Sequence, residues 1–136
     1  MSLAEFNRVT GSYVRSAVAS FLRVDELDVG VIEVQAECVI YARTDKPWRP
    51  TELEWRGFRN VNLPAHVRAH LFFLPADASS EFGNEVARRV YVAATGLGFT
   101  TDTERAAFAL GGAQAVADLI LGEERERQPA QRVFPT

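Results

Sequence analysis

Residues 29–43 read VGVIEVQAECVIYAR, and their polar and apolar residues alternate. Ile32, Val34, Ala36, Cys38, Ile40 and Ala42 fall on one side of an extended chain, and Glu33, Gln35 and Glu37 on the other. Successive side chains of a strand point to opposite faces, so the pattern predicts one strand with a packed face and a wet face. A sheet that is wet on one side must lay its apolar side on other elements, and helices flank this stretch in both directions.

Upstream, residues 2–23 carry Leu3, Phe6, Tyr13, Val14, Ala17, Val18, Phe21 and Leu22 at helical spacing. Ser2 and Glu5 fit a capping box, in which each side chain satisfies the other residue's free backbone N–H. Asp25 to Asp28 is an acidic turn. Downstream, residues 44–50, TDKPWRP, form a loop. Residues 51–59 predict a second strand, with Leu53 and Trp55 opposite Glu52, Glu54 and Arg56, and a bulge at Gly57 that returns Phe58 to the core side. After a turn over 60–64, residues 66–74 predict a third strand. There Val67, Ala69, Leu71 and Phe73 face one way, and His66, Arg68, His70 and Phe72 the other.

Asp77 or Ser79 is the expected N-cap of a helix over 79–95, with Phe82, Val86, Val90, Ala93 and Leu97 as its buried stripe and Gly96 and Gly98 as its stop. Thr101 and Glu104 repeat the capping-box pattern and open a final helix over 102–124. The short connections predict a meander. The expected fold is therefore α+β: an N-terminal helix, a three-stranded antiparallel meander, and two C-terminal helices packed on one face of the sheet. It forms a single domain over 1–127, followed by an extended tail over 128–136.

The core of the last helix, Ala106 to Leu121 (AAFALGGAQAVADLIL), is apolar nearly all the way round, with Gln114 and Asp118 four apart on one narrow stripe. A surface helix shows a wide polar face, so this one is expected to be covered on most sides. A small domain struggles to surround a helix, so part of the cover is expected from a second copy or another protein. Ala109, Ala113 and Ala117 recur every four residues, a spacing that lets helices approach closely. As a membrane span this stretch of 16 residues, with Asp118 and two glycines, falls short of the roughly 20 apolar residues required.

The 136 residues suit one domain, and the net charge of −3 disfavours a general nucleic-acid coat. Lys46 is the single lysine among 15 basic residues, and arginine suits planar contacts at interfaces. Cys38 is the lone cysteine, so no intrachain disulfide is available. No basic-then-apolar leader opens the chain, which leads us to expect a cytoplasmic protein.

Several residues invite a chemical reading. His66 and His70 flank Arg68 on one strand face, but a metal site wants a third ligand close by, and a catalytic histidine wants a nucleophile and an orienting acid. Gly96 to Thr101 looks like a phosphate loop, yet it follows a helix where a dinucleotide loop follows a strand. Residues 46–59, KPWRPTELEWRGFR, interleave Trp48, Trp55 and Phe58 with Arg49, Arg56 and Arg59. That composition fits a solvated hairpin, a protein contact through Trp and Arg anchors, or single-strand binding, which Glu52 and Glu54 oppose. Cys38, on the apolar face, reads as packing.

No catalytic, cofactor-binding or metal-binding residue is assigned. The leading expectation is a non-enzymatic assembly or adaptor protein that acts as a homo-oligomer or within a larger complex, with itself or another protein as partner and no membrane. Its contacts would come from Trp48, Arg49, Trp55, Arg56, Phe58, Ala109, Ala113, Ala117 and Phe134. One alternative is a ligand-binding or enzymatic domain with a pocket between sheet and helices that Tyr41, His66, Arg68 and His70 enter. Another is an acidic chaperone or immunity-type protein with one protein partner. Residues 65–97, a strand ending in FFLPAD followed by an amphipathic helix, resemble the corresponding part of phage tail-terminator and neck proteins. These are small α+β chains that form rings at the end of a tail tube. The resemblance implies a structural, ring-forming role in a virion, although a closing strand is expected in that family where this chain has its apolar helix.

Overall fold

The structure, a computed structural model, describes residues 14–50, 54 and 67–127. Among these residues the fold is α+β, with three strands and helices on both sides of the sheet. Residues 14–22 form the described part of α1. Val14, Val18 and Leu22, at i, i+4 and i+8, are buried along it. The helix ends in a Schellman turn: Val24 N–H reaches Ala19 C=O (3.0 Å), and Arg23 takes the left-handed conformation (φ 57°) usually given to glycine. A short 3-10 turn, Glu26–Asp28, follows and is capped by the Asp25 carboxylate on Leu27 N–H (2.8 Å).

The stretch 29–43 is a hairpin and not one strand. Strands β1 (Val29–Val34) and β2 (Glu37–Arg43) pair antiparallel around a two-residue turn at Gln35 and Ala36, with Gln35 at φ 54°. The turn moves Ile32 and Val34 to the face opposite Cys38, Ile40 and Ala42, because cross-strand partners share a face and Ile32 pairs with Val39. Strand β3 (Arg68–Leu74) lies beside β2 and runs parallel to it, from Glu37↔Arg68 to Arg43↔Leu74. The expected all-antiparallel meander is corrected here. Parallel neighbours need a crossover of a dozen or more residues, and the span between β2 and β3 supplies that length. Of the strand expected over 51–59, only Glu54 is described, and it is helical. The N-terminal capping box, the bulge at Gly57, the turn over 60–64, His66 and the tail over 128–136 lie outside the described residues.

The sheet order is β1-β2-β3, and the central strand is buried on both faces, so the expected wet face is absent from it. On one side Val14, Val18 and Leu22 of α1 pack with Val29, Cys38, Ile40, Ala42 and Phe73. On the other, Val39, Tyr41, Phe72 and Leu74 pack with helices α2 (Ser80–Thr95) and α3 (Asp102–Arg127). Both C-terminal helices thus cover one face, as the sequence implies. Ser79 caps α2 through Phe82 N–H (3.0 Å), and Gly96 stops it at φ 72°.

The capping box at Thr101 and Glu104 is formed in both directions: Glu104 N–H to Thr101 Oγ1 (3.1 Å) and Thr101 N–H to Glu104 Oε2 (3.4 Å). Glu104 is also buried against Arg89 of α2, whose Nε donates to it at 2.6 Å and whose guanidinium also reaches Glu123 (3.4 Å). One arginine therefore joins α2 to both ends of α3. Burial by itself would raise the Glu104 pKa, but the hydrogen bonds from Arg89, Thr101 and Thr100 and the Arg89 charge outweigh it and hold the carboxyl below its usual range.

Candidate functional site

Helix α3 is broken at Gly112, whose φ of 70° and ψ of −156° lie outside the helical region. Adjacent glycines are a recognised cause of such kinks, and here Gly111 precedes the break. By length and composition alone Asp102–Arg127 could cross a membrane. The break divides it into 102–111 and 113–127, each below the roughly 20 residues of a span.

The two halves differ in surroundings. After the break, Ala113, Val116, Ala117 and Ile120 are buried against the sheet and α2. Before it, Ala107 and Phe108 lean on that core, whereas Ala106, Ala109 and Leu110 are exposed, Leu110 by 90%. The loop entering the helix adds Leu97 (61% exposed) and Phe99 (93%). Leu97 is therefore not part of the buried stripe of α2. The chain's own cover of this helix is more complete on its second half, where Ala113, Val116, Ala117 and Ile120 are buried, than on its first, where Ala107 and Phe108 are half-buried.

The polar stripe of α3 acts on the sheet. Gln114 places its side-chain carbonyl on Phe73 N–H (2.8 Å) and its NH2 group on Phe73 C=O (3.1 Å), and the same NH2 donates to Asp118 (3.0 Å). Among the described residues β3 is an edge strand of the sheet, so Gln114 stands where a further strand would pair.

Of the interface candidates, Ala113 and Ala117 are core residues and Ala109 is exposed. Trp48 is 45% exposed and meets Phe21 edge-on (5.7 Å), and Arg49 lies over the Phe73 ring at 4.6 Å. Trp55, Arg56, Phe58 and Phe134 lie outside the described residues. Of the pocket candidates, Tyr41 fills a slot between two glycines. A Cβ at Gly30 would come within 2.1 Å of its ring and one at Gly83 within 2.5 Å. Its hydroxyl donates to Asn84 Oδ1 (2.8 Å). Burial raises its pKa, against the lowering charges of Arg43 and Arg15. His70 Nε2 lies 2.9 Å from Glu37, its ring edge-on to Phe108, while Arg68 is largely exposed and reaches the same carboxylate at 3.7 Å.

The Cys38 thiol is buried and faces Glu33. Burial, the Glu33 charge and the hydrogen bond to Glu33 push its pKa up to about 12. A thiol in that state is a poor nucleophile. Among the described residues no group of three or more His, Cys, Asp or Glu side chains is arranged to hold a metal ion.

Leu97, Phe99 and Leu110 are the surface residues that sequence reading missed. The available signals were two large apolar side chains in a glycine-flanked linker and the Gly111-Gly112 pair inside a helical pattern. Comparison with family models, curated proteins and solved structures finds no significant match.

Proposed function

We propose that this protein is a non-enzymatic assembly or adaptor subunit, working as a homo-oligomer or inside a larger complex, and that the first half of α3 is its contact. The observation that carries this reading is the exposure of Leu110, beside Ala106 and Ala109, on the half of α3 that precedes the break, with Phe99 exposed in the loop that enters it. Large apolar side chains grouped at a surface mark interaction sites, and small neighbours let a partner approach closely. A ring-forming structural subunit of the tail-terminator kind is one form the reading takes, since a strand ending in FFLPAD and running into an amphipathic helix is part of this fold.

Light scattering on a size-exclusion column tests it, with wild type and Leu110→Glu. The expected result is a wild type at a multiple of 15.1 kDa and a folded, monomeric variant. A monomeric wild type whose Leu110 face also stays fully open to hydroxyl-radical footprinting in a lysate of its source cells overturns the proposal.

A further inference from the structure

Strands β2 and β3 run parallel and end side by side at Arg43 and Leu74. Ligands of open sheets with parallel strands bind in the crevice outside the carboxyl ends. Here that crevice is a hollow of about 410 Å3. Phe73 and Leu121 give it an apolar wall. Gln114, Asp118, Leu121, Gly122 and Arg125 line it from one face of α3, at the i, i+4, i+7, i+8, i+11 spacing of a single helical stripe, and Arg49 and Asp45 stand across from them.

The charges around it are unevenly engaged. Asp45 accepts from Ala76 N–H (3.1 Å) and Asp118 from the Gln114 amide (3.0 Å). Among the described residues neither Arg49 nor Arg125 is in an ion pair, and Arg49 lies over the Phe73 ring at 4.6 Å. The hollow therefore offers two guanidinium forks, two carboxylates with acceptor capacity to spare, and an apolar edge from Phe73 and Leu121. A bare anion would meet Asp45 and Asp118, and a bare cation would meet the arginines.

Gly122 is an independent observation. Glycine is among the poorest residues for a helix interior. Gly122 has no positive φ, and a Cβ built on it meets nothing within 4 Å, so neither backbone conformation nor packing asks for glycine there. What a side chain would do is enter the hollow.

We propose that this hollow binds a small zwitterion of amino-acid type, its carboxylate on Arg49 or Arg125, its ammonium on Asp118 or Asp45, and its apolar side chain against Phe73 and Leu121. The site is distinct from the exposed half of α3, and its occupation does not depend on the assembly reading.

Titration calorimetry of the full chain with L-phenylalanine and L-leucine is the test, alongside phenethylamine, 3-phenylpropionate and inorganic phosphate. The expected result is binding of an amino acid at millimolar concentration or tighter, at least tenfold weaker for the amine or the carboxylate alone. Gly122→Leu is expected to abolish it with the circular dichroism unchanged, and Arg125→Gln to weaken it. Absence of heat with both amino acids, equal binding of phosphate or phenylpropionate, or binding that survives Gly122→Leu each overturns the proposal.

Discussion

The Gln114 side chain pairs with the Phe73 backbone as a neighbouring strand would, accepting from its N–H at 2.8 Å and donating to its C=O at 3.1 Å. A primary amide has the donor and acceptor of a peptide group, so one side chain closes one step of the sheet edge. Gln114→Leu leaves both backbone groups without that partner, at a cost of about 1–3 kcal/mol. Urea denaturation is expected to show the loss, and the Phe73 amide to exchange faster with deuterium. Gln114→Glu keeps the acceptor but loses the donor and sets a carboxylate against the Phe73 carbonyl and Asp118, so it should destabilise at least as much as leucine.

Tyr41 and its two glycines make a coupled trio. Gly83→Ala drives a methyl group into the Tyr41 ring, and overpacking of this kind costs about 1–3 kcal/mol. In a Tyr41→Leu background the same substitution should cost much less. A double-mutant cycle by chemical denaturation gives the coupling, and strict additivity would contradict the slot.

Glu104 supplies a pH dependence. Its pKa is lowered in the folded protein, so its ionised form stabilises the fold above the ordinary carboxylate range. That contribution falls away as pH drops through the lowered folded value. Removing one partner of a buried pair costs about 3–5 kcal/mol, and the partial exposure of Arg89 places Glu104→Gln at or below the low end. Thermal melts between acid and neutral pH should show wild type and variant far apart at neutral pH and converging in acid.

Three glycines of α3 should answer differently to alanine. At Gly112, with φ at 70° and ψ at −156°, alanine is strained by about 1–3 kcal/mol. At Gly111 the new methyl meets Ala115 Cβ at 2.8 Å, so the neighbour must shift. At Gly122 the space is open, and alanine should stabilise by about 1 kcal/mol. Melting temperatures of the three variants give the order Gly122→Ala above wild type, and Gly111→Ala and Gly112→Ala below.

Cys38 should resist alkylation by iodoacetamide at neutral pH while the protein is folded and react at once in denaturant, because its thiol is buried with a pKa near 12.

Much of the fold was legible where a local device announces itself. Ser79, Gly96 and the Thr101–Glu104 box place the two C-terminal helices from side-chain chemistry alone. The hairpin was hidden because Gln35 occupies a left-handed position with no Asn-Gly or Asp-Gly to mark it, and because alternation runs unbroken through the turn. The parallel pairing of β3 was hidden because it depends on a crossover, which no local pattern encodes. Gln114 and Asp118 stood out as the polar exceptions in an apolar helix, but their task on Phe73 needed the sheet edge in place. The exposure of Leu110 depended on the break at Gly112, and the hollow lined by Arg49 and Arg125 joins two segments more than seventy residues apart.

The break at Gly112 also divides the substitutions that α3 can accept. A replacement after it alters the packing of Val116 or Ile120 and is tested first by folding. A replacement at Ala106, Ala109 or Leu110 leaves that packing alone and is tested only by whatever meets the surface. Surface chemistry and stability can therefore drift separately in the two halves of α3.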